Sequence, residues 1–327
     1  MISRKIGAGR LSLMLVPVVM LLFTLSLMAG KIWVPFNAWG SDDPRWWIVF
    51  ELRLPRAILG VGVGAVLGLA GTVLQGYLRN PLADPSLIGV SASAALGAVA
   101  SIFFGIAITS LTLGICAMLG AAGAMLLLGL LVGRSGSAIT FILAGTILTS
   151  LASALTTLLI SLSPNPFAAT EIVTWLMGAL SDRSFDEVSF AMPFMAAGAL
   201  LLFTTGRAID ALSLGEAAAR SLGVRLGLLQ LQIVVGLGLA VGAAVAVAGM
   251  VAFVGLIVPH LVRPLVGQRP SALLLPSALA GAALVLAADT LVRLTPGSGE
   301  VRLGVVMALI GAPFFFLLLF RMRLRTP

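Results

Sequence analysis

The chain has 327 residues, of which 60% are hydrophobic and only 10% charged, with a mean hydropathy of +1.14. An average soluble domain carries about 25% charged residues, so a chain this apolar could not cover its surface in water, and a soluble globular protein is excluded. The net charge of +8 and pI near 11.3 would suggest a nucleic-acid partner in a soluble protein; in a lipid-embedded one they ask which side the charges face, and no nucleic acid is implied.

A membrane span needs roughly 20 mostly apolar residues, because a helix rises about 1.5 Å per residue through about 30 Å of hydrocarbon. Ten segments qualify: 11–30, 56–77, 89–106, 110–132, 138–161, 189–206, 229–248, 250–267, 272–291 and 304–320. They predict an all-α integral membrane protein of about ten transmembrane helices, with residues 1–327 forming a single domain. The first run, Leu11 to Gly30, is long enough to stay as a helix, so no secretory signal is expected to be removed. After it, Trp33, Trp39, Trp46 and Trp47 crowd one loop, where amphipathic rings favour an interface. In the second segment Gly60, Gly64, Gly68 and Gly71 form a small-xxx-small stripe, which lets helix backbones approach closely in lipid.

The loop Arg79-Asn-Pro-Leu-Ala-Asp-Pro-Ser86 follows. Its two prolines stop both flanking helices, and Asn80 and Asp84 are suited to hydrogen-bond the freed amides. It reads as a tight turn or as a shaped element that transmits motion. Cys116, the only cysteine, lies in the fourth segment and can form no intrachain disulfide.

The longest polar stretch runs over about 207–228. Leu212, Leu214, Ala218 and Leu222 supply the apolar side of a short amphipathic helix, Glu216 and Arg220 stand at i,i+4 in the favourable order for an ion pair, and Gly215 and Gly223 punctuate it. Such a helix either covers the bundle or docks into a groove on a partner. The eighth segment is interrupted by Pro259, His260 and Arg263, which is tolerated only where protein or water surrounds the backbone.

Two patterns organise the whole chain. Gly64, Gly71 and Pro81 recur as Gly242, Gly249 and Pro259 at an offset of 178, five spans apart, as in the inverted repeats of many transporters. With both termini inside, Arg4, Lys5, Arg10, Arg79, Arg134, Arg207, Arg220, Arg225, Arg263, Arg269, Arg321, Arg323 and Arg325 are inner, and Lys31, Arg45, Arg53, Arg56, Arg183, Arg293 and Arg302 are outer. Thirteen against seven obeys the positive-inside rule, so both termini are expected to be cytoplasmic.

Chemistry is sparse. A lone His260 rules out a multi-histidine metal site, and no nucleophile–base set is present, so the chain is not expected to be an enzyme. A phosphate-binding loop needs Gly-x4-Gly-Lys-Ser/Thr, and the only lysines are Lys5 and Lys31; any ATP is hydrolysed on another chain, and no cofactor is expected on this one. Asp84 lies in a loop, Asp289 stands at i,i+4 from Arg293 in a structural pair, and Glu171 sits near the outer surface. These acids form no ladder for a proton relay, although an ion-gradient-driven secondary transporter remains the alternative.

The stretch Arg53-Leu-Pro-Arg56, followed by GAVLGLAGTVLQGYLRNPLADPSLIGVSASAALGA from Gly64 to Ala98, resembles the permease subunits of the bacterial iron-chelate, haem and cobalamin ABC importers (type II importers). Trp175-Leu-Met-Gly178, Leu214-Gly-Glu…Leu222-Gly-Val224, Phe253-Val-Gly-Leu-Ile-Val-Pro-His-Leu-Val-Arg263 and Leu303-Gly…Gly311-Ala-Pro-Phe-Phe315 agree in order, with Pro276, Gly281, Asp289 and Arg293 between the last two. The resemblance runs from about residue 10 to the C-terminus.

It implies ten helices per subunit, pairing with a second permease subunit as a homodimer around the path. It also implies two cytoplasmic ATPase subunits that bind ATP, a periplasmic substrate-binding protein, and a place in the bacterial inner membrane. Leu212, Leu214, Gly215, Glu216, Arg220 and Gly223 match the segment that couples to the ATPase, and Arg53, Arg56 and Arg293 match the arginines that dock the binding protein. The implied cargo is an iron chelate (siderophore or haem) or cobalamin. One departure stands out: the family pattern Glu-Leu-Pro-Val-Gly is here Glu300-Val-Arg-Leu-Gly304, so a proline is lost and Arg302 is gained.

Overall fold

The computed structural model describes residues 6–40, 43, 45–133, 138–295 and 300–323. Among them there are fourteen α-helical segments and no strand: α1 Ala8–Met28, α2 Arg45–Trp47, α3 Leu54–Tyr77, α4 Val90–Phe103, α5 Ser110–Val132, α6 Ala138–Ser161, α7 Pro166–Leu176, α8 Phe185–Thr204, α9 Gly206–Leu212, α10 Glu216–Ser221, α11 Leu226–Ala248, α12 Val254–Val266, α13 Pro270–Leu294 and α14 Leu303–Arg323. Each of the ten predicted spans corresponds to one helix. Seven helices are long and apolar enough to cross a membrane, α2 running on through Ile48–Arg53 into α3 as one of them.

The other three, α4, α12 and Leu303–Leu318 of α14, are shorter. A helix of α12's 13 residues reaches about 20 Å, short of the hydrocarbon, and irregular backbone completes the path. The predicted eighth span is corrected accordingly: its helix begins at Val254, after Phe253 takes a positive φ of 68°. Such backbone survives at membrane depth only when protein surrounds it, and Gly249 is packed against the carbonyl of Trp175 and the backbone of Gly178.

Three helices make the centre. Within their apolar windows α3 is 83% buried, α11 78% and α13 61%, whereas α1, α5, α6 and α8 are each a third buried or less and form the ring outside. With no hydrophobic drive between helices in lipid, close packing decides which meet. The glycine stripe of α3 does this: a methyl group on Gly64 would run into the Gly281 carbonyl, on Gly68 into that of Ser277, and on Gly71 into that of Gly255. α3 therefore lies directly on α13 and α12. The same device joins α4 to α5, where Gly97 meets the Cys116 carbonyl and Gly120 that of Ser93.

α3 and α11 run antiparallel: the start of α3 and the end of α11 both border Arg183 and Arg302. Each is followed by a short helix, α4 or α12. The glycine–proline match at 178 is nevertheless out of register with these elements. α3 begins at Leu54 and α11 at Leu226, an offset of 172, so Gly71 lies inside α3 while Gly249 lies past the end of α11, and Pro81 lies in a loop while Pro259 lies inside α12.

The α3–α4 loop forms as its residues predict. Asn80 Oδ1 accepts from the Leu82 amide at 2.9 Å, and Asp84 Oδ1 accepts from the Ser86 amide at 2.9 Å.

Candidate functional site

The molecule has two polar faces. One gathers Lys31, Arg53, Arg56, Arg183, Arg293 and Arg302, six of the seven outer cations, around a cavity of about 590 Å³ that Asp182 and Glu300 also line. The opposite face carries α9, α10 and the N-terminus of α13. Of the inner cations, Arg4, Lys5, Arg134 and Arg325 lie outside the described residues.

On the first face Arg53, Arg56 and Arg293 come together, but all three are buried. Arg56 clamps Asp289 with Nη2 to Oδ1 at 2.8 Å and Nε to Oδ2 at 3.0 Å, and its Nη1 reaches Glu300 Oε2 at 2.9 Å. Arg293 pairs with Asp289 Oδ2 at 3.3 Å, as the i,i+4 spacing predicts, yet Arg56 is the nearer partner. Arg293 Nη1 donates to the Ser26 carbonyl at 2.8 Å and Nη2 to the Ser26 hydroxyl.

Among the described residues Arg53 has no carboxylate partner. It donates to the carbonyls of Leu27 at 3.0 Å and Met28 at 2.8 Å, and to that of Ile32. The last four carbonyls of a helix have no partner within it and carry partial negative charge. Arg53 and Arg293 therefore cap the C-terminus of α1 and join it to α3 and α13. These arginines are internal cross-links, which the docking expectation did not foresee. The signal was absent because α1 ends some 25 residues before Arg53 and 260 before Arg293.

Glu300 and Arg302, where the chain departs from the family pattern, border this network. Glu300 completes the Arg56 clamp, and the Arg302 carbonyl accepts from the Val305 amide at 3.1 Å as α14 begins. Arg183 is held by a 2.7 Å bond from its Nε to the Val247 carbonyl, which fixes it beside the end of α11. Trp39 and Trp46 continue the rim as tilted ring pairs, with Phe36 on one side and Phe50 on the other.

On the opposite face the single helix expected over 211–223 is two. α9 ends at Leu212, Gly215 takes a φ of 104°, and α10 covers only Glu216–Ser221 before Gly223 at a φ of 84°. Glycine is the residue that enters this region without a Cβ penalty. The residues turned inward are Leu212 and Ala219, not Ala218, while Leu214 and Leu222 are exposed at 70% and 64%. No ion pair joins Glu216 and Arg220 among the described residues. A six-residue helix is too short to hold two long side chains together against their rotamer entropy.

Two polar junctions on this face escaped the sequence reading. Asp210 accepts from Arg269 Nε at 2.6 Å, from the Ser271 amide at 2.8 Å and from the Ser271 hydroxyl at 2.6 Å, so the end of α9 caps the start of α13. Burial opposes ionisation of Asp210, but the bonds from Ser271 and Arg269 outweigh it and hold the carboxyl below its ordinary range. Gln75 accepts from Arg263 at 2.7 Å and donates to the carbonyls of Gly255 and Ala83 at 3.3 and 3.4 Å, binding α3, α12 and the loop before α4.

Glu171 is exposed on α7, and Asp84 is committed to its turn. His260 packs edge-on to Phe314 with ring centroids 5.8 Å apart. No cluster of three metal-ligating side chains forms among the described residues.

The model of the FecCD transport family matches residues 18–321. The chain belongs to that family. Its FecCD relatives include the Fe(3+) dicitrate transport system permease protein FecD of Escherichia coli K12, 35% identical over 91% of this chain and 94% of the relative. The molybdate import system permease protein MolB of Haemophilus influenzae is 34% identical over 98% of this chain and 91% of the relative. A solved structure described as an inward-facing conformation of a metal-chelate type ABC transporter superposes with a TM-score of 0.85 at 32% identity, covering 96% of this chain and 99% of the other. As a FecCD protein the chain is a multi-pass ABC importer permease, a transport subunit that works with an ATPase on a separate chain.

Proposed function

We propose that this permease carries an iron chelate, a siderophore complex or haem, from periplasm to cytoplasm across the bacterial inner membrane, with cobalamin as the alternative cargo. The observation that carries the reading is the family match over residues 18–321, joined by the likeness to an iron(III) dicitrate permease. In this reading two copies pair as a homodimer, two ATPase subunits bind ATP at the cytoplasmic face, and a periplasmic binding protein delivers the cargo to the other. The termini face the cytoplasm, which follows from the excess of Arg and Lys assigned to that side.

The two faces divide the labour. Leu214, Gly215, Glu216, Arg220 and Gly223, exposed or half-buried beside the buried Leu212, form the knob that seats in an ATPase groove. Two projecting leucines flanking a short glycine-bounded helix suit the helix-in-groove mode. On the periplasmic face Arg53, Arg56 and Arg293, with Lys31, Arg183 and Arg302, set six positive charges against Asp182, Asp289 and Glu300. That surplus attracts an acidic partner and fixes its register more than it adds affinity.

The test is reconstitution in vesicles with the ATPase subunits. Ferric siderophore, haem and cobalamin are each offered, and one is expected to raise ATP hydrolysis and enter the vesicle. Uptake that persists without the ATPase and collapses with an uncoupler would instead make the chain a secondary transporter.

A further inference from the structure

The inward sides of α5 and α11 meet at one end and part at the other. A methyl group on Gly242 would lie 2.8 Å from Ala121 Cβ, and one on Gly238 would lie 2.9 Å from Met125 Cγ, so the helices are in contact there. At Gly129 and Gly227 a methyl group would meet nothing within 4 Å. A cleft of about 590 Å³ lies here, lined by Met125, Leu126, Leu130, Leu231 and Val234, with Gly133 and Gly227 also in its lining. Leu126, Leu130 and Leu231 on its rim are exposed. Hydrocarbon faces such a rim in a membrane.

One polar side chain lines this apolar cleft. Gln230 is 4% exposed, and its Nε2 makes a long bond of 3.4 Å to the Gly133 carbonyl at the end of α5. With that bond made by the nitrogen, Oε1 is left without a partner among the described residues. A buried amide oxygen away from water is costly unless a donor reaches it. Less than two turns away, Arg225 precedes α11 as its N-cap and is exposed.

We propose that the cleft is a phospholipid site for phosphatidylethanolamine. One acyl chain lies between α5 and α11, the primary ammonium donates to Gln230 Oε1, and the phosphate meets Arg225. A buried acceptor with an exposed cation at the start of the same helix matches a headgroup that carries a donor beside an anion. Phosphatidylcholine has the same charge but no N–H, so it separates this chemistry from simple chain burial. The site is independent of the cargo and of the transport reading, since it requires only that the protein be in a bilayer.

The experiment is native mass spectrometry of the full chain, purified in mild detergent and equilibrated with equal amounts of phosphatidylethanolamine and phosphatidylcholine. One phosphatidylethanolamine per chain is expected to be retained about tenfold in preference, the loss expected for one charge-assisted hydrogen bond. Gln230→Leu should abolish the preference while keeping chain burial, and Gly129→Leu, placed where the backbone has room, should reduce retention of both lipids. Equal retention of the two lipids by the unaltered chain would overturn the proposal, and that comparison needs no variant to fold. A preference that survives Gln230→Leu would do the same, as would a Leu130→Cys cross-link that captures a second copy of the chain.

Discussion

The arginine face and the α10 face are built on opposite plans. On the first, charged side chains are buried and tie α1, α3 and α13 into one unit through Asp289, Glu300 and the free carbonyls of α1. On the second, α10 is six residues long, bounded by two glycines at positive φ, and flanked by the exposed Leu214 and Leu222. Where three helices must keep their spacing, the chain uses multivalent buried charge. On the α10 face Leu214 and Leu222 are left exposed. The difference separates side chains that tie helices together from side chains left exposed, and neither role is marked in the sequence.

That contrast breaks most readily at Asp289. Asp289→Ala leaves Arg56 and Arg293 buried without their shared carboxylate, and a loss of about 3–5 kcal/mol is expected, read as a lowered midpoint of thermal unfolding in detergent. Gly71→Val comes next. It forces a side chain into the Gly255 backbone, and overpacking of this kind costs about 1–3 kcal/mol; a fall in thermal stability larger than that for a valine at the open position Gly123 is the check.

Asp210→Ala removes three bonds at the start of α13 and should cost about 1–2 kcal/mol. Because the folded carboxyl titrates below its ordinary range, its contribution is present above the unfolded pKa, near 4, and fades as pH falls through the lower folded value. Unfolding measured from pH 6 to 3 should show the variant and parent converging at the acid end. Convergence at neutral pH instead would remove Asp210 from the clamp.

The smallest stability effect belongs to the α10 face. Leu214→Ser and Leu222→Ser should leave unfolding within about 0.5 kcal/mol of the parent while weakening co-purification of the ATPase subunits. Glu216→Gln should be as mild in stability, since no ion pair is lost. A large destabilisation by either leucine substitution would show that these side chains pack within the subunit, and the contrast between the faces would fail.

Seven of the spans were readable because lipid demands about 20 apolar residues for each crossing and those segments carry it locally, whereas α4, α12 and the apolar part of α14 are shorter. The turn over 79–86 was equally readable, since Asn80 and Asp84 bond amides two residues away. The Gly60–Gly71 stripe announced close packing without naming its partners, which α13 and α12 turned out to be. The split between α9 and α10 was half visible in Gly215 and Gly223, but helical spacing of the leucines suggested continuity that a positive φ at Gly215 denies.

What the sequence by itself determined is the class: an all-helical membrane protein with its cations sorted into two sets and no phosphate-binding loop of its own. Hydropathy, glycine spacing and charge count are sums over neighbouring residues, so they survive without knowledge of the fold. Only the tertiary structure decided that Arg53, Arg56 and Arg293 are buried cross-links, that Asp210 caps α13, and that Gln230 is left with an oxygen unpaired among the described residues. Each of these is settled by atoms tens to hundreds of residues apart, and the free energy of a buried charge or amide depends on those atoms far more than on its neighbours along the chain.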